Sequence, residues 1–291
     1  MVQIAHDPFP SVRSTAAAPN AVGAQLRGWR QRRGRSQLDL ALDAEISQRH
    51  LSFVESGRSA PSRDMVLRLA ETLDVPLRDR NALLLAAGFA PAYGERSLAD
   101  PALAGARHLV ETIVQAHAPN PALAIDRHWM LMSANAVVAA LLAGVNDPGL
   151  LRPPINVLRL SLHPAGLAPF IANLPVWRAH LLGRLRREVI TSADAVLLAL
   201  LHELSALGGG DPGREAAIDG SAVAVPLELE TRVGRLSLIS TTTVFGTPTE
   251  VTVAELAIEA FYPADAETAS RLLELQTGVP PDAAPGPGSV A

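Results

Sequence analysis

The stretch Ser36-Gln37-Leu38-Asp39-Leu40-Ala41-Leu42-Asp43-Ala44-Glu45-Ile46-Ser47-Gln48-Arg49-His50-Leu51-Ser52-Phe53-Val54-Glu55-Ser56-Gly57 carries two helix starts eleven residues apart. Ser36 with Asp39 three positions on forms a capping-box pattern with the shorter acid, and Leu38, Ala41 and Leu42 supply an apolar face. Ser47 is a second N-cap; Leu51 and Val54 follow at buried spacing before Gly57 stops the element. Two helices this short, joined through Ala44 to Ile46, are not stable alone and must pack together.

The flanking sequence supplies what they pack on. A first helix spans Ala24 to Arg33 and stops at Gly34. Ser62 caps a fourth helix through Val66, Leu69, Ala70 and Leu73, Pro76 interrupts, and Leu77 to Ala87 forms a fifth closed by Gly88. This predicts an all-α, five-helix unit over 24–90, preceded by a loose arm at 1–23 and followed by a linker at 91–100 around Pro91.

The remainder reads differently. A helix near Ala102 to His117 precedes two short β-like segments, Ala122 to Asp126 and Trp129 to Ser133, and a helix over Asn135 to Leu142. Residues 150–206 are mostly helical, with breaks at Pro164, Pro175 and Thr191, and Gly208 to Gly213 reads as a loop. Three apolar, β-branched stretches follow, Ala222 to Glu230, Arg235 to Phe245 and Val251 to Tyr262, then a helix from Ala266 to Leu275. Strands, helices and then three consecutive strands indicate an α+β domain with an antiparallel sheet over 101–278, and 279–291, rich in Pro, Gly and Ala, reads as a disordered tail.

Composition narrows the function classes. There is no Cys, so thiolate metal sites and disulfides are excluded and a cytoplasmic location is expected. No secretory pattern and no run of about 20 apolar residues occurs, so no membrane span is expected. All 25 basic residues are Arg. The net charge of −4 divides unevenly: Ala24 to Tyr93 holds 11 Arg against 8 acids, +3, and the rest 14 against 21, −7. A basic head on an acidic body suits nucleic acid. The histidines form no metal spacing, the triple Gly at 208–210 lacks the Gly-Lys-Ser/Thr of a phosphate cradle, and no nucleophile elbow or carboxylate pair is visible. Neither an enzyme nor a bound metal or cofactor is expected.

The register of Ser36-Gln37, Ala41, Ile46-Ser47-Gln48, Leu51 and Val54-Glu55-Ser56-Gly57 resembles the Xre family of phage-repressor-like helix-turn-helix regulators. The resemblance implies that the helix beginning at Ser47 enters the major groove of an operator in double-stranded DNA. Leu51 and Val54 face the core, which leaves Gln48, Arg49, Ser52 and Phe53 to read bases. Phe53 stands where related domains carry a polar residue; contact with a thymine methyl suits it. Gln37 would sit over the phosphate backbone, with Arg27, Arg35 and Arg58 as further phosphate contacts. The resemblance also pairs Arg30 with Glu55 and puts Arg30 within reach of a phosphate.

Downstream, Ala122-Leu123-Ala124-Ile125-Asp126-Arg127-His128-Trp129, Ser133-Ala134-Asn135, His163-Pro164 and Phe245-Gly246-Thr247-Pro248 resemble the MmyB-like ligand-binding domain. That resemblance implies a PAS-like fold with an apolar cavity and fatty-acid-like ligands, and operator symmetry implies a homodimer. The sequence offers Trp129, Leu131, Phe170, Trp177 and Phe245 as lining, and Asn135, His163, Asn173 and Arg178 as a polar end, in a pocket of at least about 300 Å³. A solid core serving only dimerisation or a protein partner is the alternative.

Overall fold

The structure is a computed structural model that describes residues 21–207, 225–246 and 248–277. It divides at Tyr93/Gly94 into two compact units. The expected loop at 208–213, most of the arm, the 279–291 tail and Thr247 lie outside the described residues.

Among the described residues, the first unit is five helices: α1 (Ala21–Arg32), α2 (Gln37–Asp43), α3 (Gln48–Glu55), α4 (Arg63–Thr72) and α5 (Leu77–Ala86). The helix begins inside the expected arm, because Val22 is buried and extends the apolar face of α1. Ser36 and Asp39 form the reciprocal capping box, and Ser47 and Ser62 accept from the His50 and Met65 amides. The turn between α2 and α3 passes through Glu45 at φ 55, and Gly57, at φ 74, takes the left-handed conformation that ends α3. The core is Leu26, Trp29, Leu40, Ala41, Leu51, Val54, Val66, Leu69, Leu83 and Leu84 with their neighbours.

The apolar face assigned to α2 is corrected. Leu40 and Ala41 are buried, whereas Leu38 is 50% and Leu42 66% exposed. The expected linker at 91–100 carries ordered backbone bonds. Asn81 Oδ1 accepts from the amides of Ala92 and Tyr93, while in the second unit Gly94 bridges to Glu250 and Thr252 Oγ1 donates to the Arg96 carbonyl. Much of 91–100 is therefore bound backbone.

The second unit is α+β. Its elements are α6 (Ala104–Ala116), β1 (Ala122–Ile125), β2 (Leu131–Ala134), α7 (Ala136–Leu141), α8 (Val157–Leu162), α9 (Leu174–Ser192), α10 (Ala195–Ala206), β3 (Leu227–Thr231), β4 (Gly234–Val244), α11 (Val251–Ala254), β5 (Ala257–Pro263) and α12 (Ala266–Thr277). The five strands form one antiparallel sheet in the order β2-β1-β5-β4-β3. Two segments depart from expectation. Pro175 lies in the first turn of α9, where its missing N–H costs nothing, so it starts a helix. Val251 to Ala254, read as part of a strand, is a helical turn.

Alternation along the strands gives the sheet two covered faces. Ala122, Ala124 and Ile258 pack with Leu256 against Val110 and Val114 of α6. Ile125, Leu227, Leu229, Leu236 and Leu238 join Leu158, Trp177, Leu181, Leu185, Leu200, Leu204 and Leu272 of the helices in the main core. β5 contributes Glu259 and Phe261 to the lining of a cavity on that inner side.

Candidate functional site

In the first unit the Arg30 guanidinium donates to both Glu55 oxygens, Nε to Oε1 at 2.6 Å and Nη2 to Oε2 at 3.0 Å, and its Nη1 donates to the Arg35 carbonyl at 2.8 Å. Both residues are buried, at 9% and 5% exposure. Gln37 Nε2 also donates to Glu55 Oε2, at 2.8 Å. One carboxylate thus ties α3 to α1 and to the start of α2. Hydrogen bonding to Glu55 raises the Arg30 pKa against the opposing effect of burial. The expected pair is present, with Arg30 9% exposed and three of its N–H groups engaged within the unit. Gln37 has one amide hydrogen directed inward, which the sequence reading missed.

The outward side of α3 holds the other DNA-facing candidates. Gln48 and Arg49 are exposed, Ser52 and Phe53 half-buried, and Ser47 sits at the helix start as its cap. Phe53 lies outside the core cluster, with the Arg49 guanidinium 5.4 Å and that of Arg58 6.0 Å from its ring centroid. Arg58 and Arg27 are exposed, whereas Arg35 is engaged by Asp43 and by the Thr72 carbonyl. One apolar ring between two guanidinium groups on an exposed helix face is chemically able to meet a base methyl with phosphates on either side.

The second unit contains a partly open, mainly apolar cavity of about 110 Å³. Trp129, Leu131 and Trp177 line it as expected, together with Leu123, Leu158, Leu181, Leu238 and Phe261. It is smaller than the expected minimum of about 300 Å³. The other candidates serve elsewhere. Asn135 caps α7 and holds the Asn120 carbonyl, and His163 Nδ1 accepts from the Ala165 amide. Asn173 spans the Pro226 carbonyl and the Glu228 amide, and Arg178 donates to the Leu204 and Ser205 carbonyls at the end of α10. Phe170 lines a second, comparably open and mainly apolar hollow of about 400 Å³ with Leu141, Leu229 and Leu275, and Phe245 a more open one of about 370 Å³. None of these four polar side chains lines the cavity, so none is its polar end.

That end is built from residues the sequence reading did not select: Ser161, His180, Arg184, Ser240 and Glu259. Arg184 donates to Glu259 through both terminal nitrogens, at 3.1 and 2.7 Å, and through Nε to Glu188 at 3.3 Å. Trp129, at φ 64, places its ring 4.4 Å from the Arg184 guanidinium and its Nε1 2.8 Å from Glu188 Oε2. Thr242, opposite Glu259 in the sheet register, adds a hydroxyl at 3.0 Å. Burial pushes the Glu188 carboxyl up. Burial, with the nearby charges of Arg184 and Arg187, pulls the His180 imidazole down.

Comparison with known proteins agrees with this division. The helix-turn-helix family model matches residues 26–79. No curated protein sequence matches the chain. Among solved structures, the clp gene regulator ClgR from C. glutamicum is 28% identical, covering 24% of this chain and 87% of its own, with a TM-score of 0.22. An RNA-binding Light-Oxygen-Voltage receptor is 13% identical, covering 92% of this chain and 67% of its own, with a TM-score of 0.24. Scores this low carry no argument about fold. The family model of the MmyB-like transcription regulator ligand binding domain matches residues 106–275, more than half of the sequence, and the chain belongs to that family.

Proposed function

We propose that the chain is a cytoplasmic, dimeric, sequence-specific transcription regulator that acts by binding rather than catalysis, its DNA affinity set by a lipophilic small molecule in the α+β unit. The observation that carries this reading is the pairing, on one chain, of an α3 that faces outward with Gln48, Arg49, Ser52 and Phe53 and an apolar cavity flanked by Trp129 and Trp177. Recognition helices of this kind read two half-sites as a dimer, which is why a dimer is proposed. A ligand shifts DNA binding only by its differential affinity for the two states, so the coupling is reciprocal: operator DNA changes ligand affinity by the same factor. The fatty-acid-like ligand implied by the family is the starting class.

Footprinting on the DNA upstream of its own coding region, with and without an extract of lipophilic metabolites, tests the proposal. Protection of a defined site, altered by the extract, is the expected result; uniform binding to any duplex refutes it. The modest cavity favours a second reading, in which the α+β unit serves only dimerisation or a protein partner. Native mass spectrometry separates the two, since a co-purified small molecule supports the first.

A further inference from the structure

The fatty-acid class makes a demand on the cavity that its polar wall does not meet. A carboxylate moved out of water needs an uncompensated cation or several free donors. Among the described residues, the cation lining this cavity is Arg184, and its guanidinium is already met by two carboxylates, Glu259 through a bidentate pair and Glu188 through Nε, with the Trp129 ring over it. Glu259 is 5% exposed and itself lines the cavity. Arg184 with its two acids Glu259 and Glu188 makes a group of one positive and two negative charges, and Arg187, whose charge also reaches His180, is exposed on the helix surface and outside the lining. Protonation of Glu188, which burial favours, brings the sum only to zero. His180 adds no cation near neutral pH, because burial and the neighbouring arginines hold it in the neutral form. The remaining polar lining consists of the Ser161 and Ser240 hydroxyls, and Ser161 already accepts from Trp177 Nε1.

We infer that the cavity recognises a lipophilic molecule whose polar end donates hydrogen bonds, an alcohol or an amine, and that it discriminates against a carboxylate. The inference rests on the reading of this cavity as the ligand site and specifies the chemistry of its occupant. The donor meets Glu259 and the Ser240 side of the wall while the chain lies among Leu123, Leu158, Leu181 and Leu238. The volume, about 110 Å³, is below the roughly 150 Å³ of an engineered cavity that admits benzene, so a six-carbon chain fills it and extends through its open side.

The test titrates the full-length protein at pH 7 with hexan-1-ol, hexylamine and hexanoate, which share one chain and differ in the head group. Fluorescence of Trp129 and Trp177, both in the lining, reports binding, and isothermal calorimetry checks it. Hexanol and hexylamine are expected to bind at least tenfold more tightly than hexanoate. Glu259→Gln leaves Arg184 with Glu188 as its one acid, so hexanoate should gain and hexylamine lose affinity. Glu188→Gln, at a half-buried position, should shift the preference the same way where the first variant fails to fold. Hexanoate binding as tightly as or more tightly than the other two overturns the inference and leaves the ligand-responsive reading standing. Three equal affinities, unmoved by either variant, also overturn it. Binding of none of the probes removes the cavity reading on which it rests.

Discussion

The Arg30–Glu55 pair offers the sharpest test of the first unit, because it is buried and bidentate and connects three helices. Glu55→Ala removes both acceptors, leaving the Arg30 cation at 9% exposure with only the Arg35 carbonyl, and also frees the Gln37 amide. Breaking a buried pair from one side costs about 3–5 kcal/mol, a large share of the roughly 5–15 kcal/mol that holds a domain together. With a urea slope of about 1–3 kcal/mol/M, the unfolding midpoint of this unit should fall by at least about 1 M. Hydrogen exchange mass spectrometry on peptides of α1 to α5 during urea titration reads this unit separately from the other. The double variant Arg30→Met/Glu55→Met removes both charges and should recover most of the loss, since well-packed apolar groups replace buried pairs at little cost. A midpoint within about 0.3 M of the native protein for Glu55→Ala, corresponding to under about 1 kcal/mol, would refute the idea that this pair locks the α3 helix. So would a double variant less stable than the single one.

Other expectations follow from the same geometry. Phe53→Ala should cost less than the roughly 3–5 kcal/mol of a core phenylalanine, since the ring is half-buried between Arg49 and Arg58; it should weaken the operator complex while scrambled duplex and its salt slope stay nearly constant, and equal losses on both DNAs would sink the base-reading role. Arg58→Ala should behave oppositely, weakening all DNA and flattening the slope by about one unit in binding isotherms at several salt concentrations. His180 has its folded pKa below the ordinary imidazole value of about 6.5 because of burial and then of Arg184 and Arg187. The unfolded chain therefore takes up the proton first, so the second unit should lose stability as pH falls through about 6.5. His180→Phe should shrink that loss in urea titrations at pH 7.5 and 5.5, and an unchanged pH dependence would count against a buried neutral imidazole.

The first unit was legible because its signals are local. Ser36, Ser47 and Ser62 announce helix starts through bonds made within three residues, and Gly57 ends α3 by backbone conformation alone. The exception is α2, where Leu38, Leu40, Ala41 and Leu42 leave the apolar side of a seven-residue helix ambiguous. Packing against α3 and α4 selects Leu40 and Ala41. In the second unit the strands and most helices were legible from the same kind of pattern. Val251 to Ala254 was not, since β-branched residues favour a strand and the helical turn is a tertiary choice over that propensity.

The polar wall of the cavity was the least legible feature, because it gathers side chains from α8, α9, β4, β5 and the turn before β2. Its logic is nonetheless written in the sequence. Glu259 sits in Ala257-Ile258-Glu259-Ala260-Phe261, where both strand faces are apolar, so the acid is buried whichever face it takes. A buried carboxylate demands a partner, and α9 supplies several arginines. Spacing chooses among them. Trp177, Leu181 and Leu185 mark the buried stripe of α9 at i, i+4 and i+8, and His180, Arg184 and Glu188 run alongside it at the same interval. Arg178 is off that second stripe and turns instead to the terminal carbonyls of α10. The choice of Arg178 as the head-group residue therefore failed for want of a charge-pairing step: asking which cation Glu259 could meet leads to Arg184, and from there to a wall with no positive charge to spare.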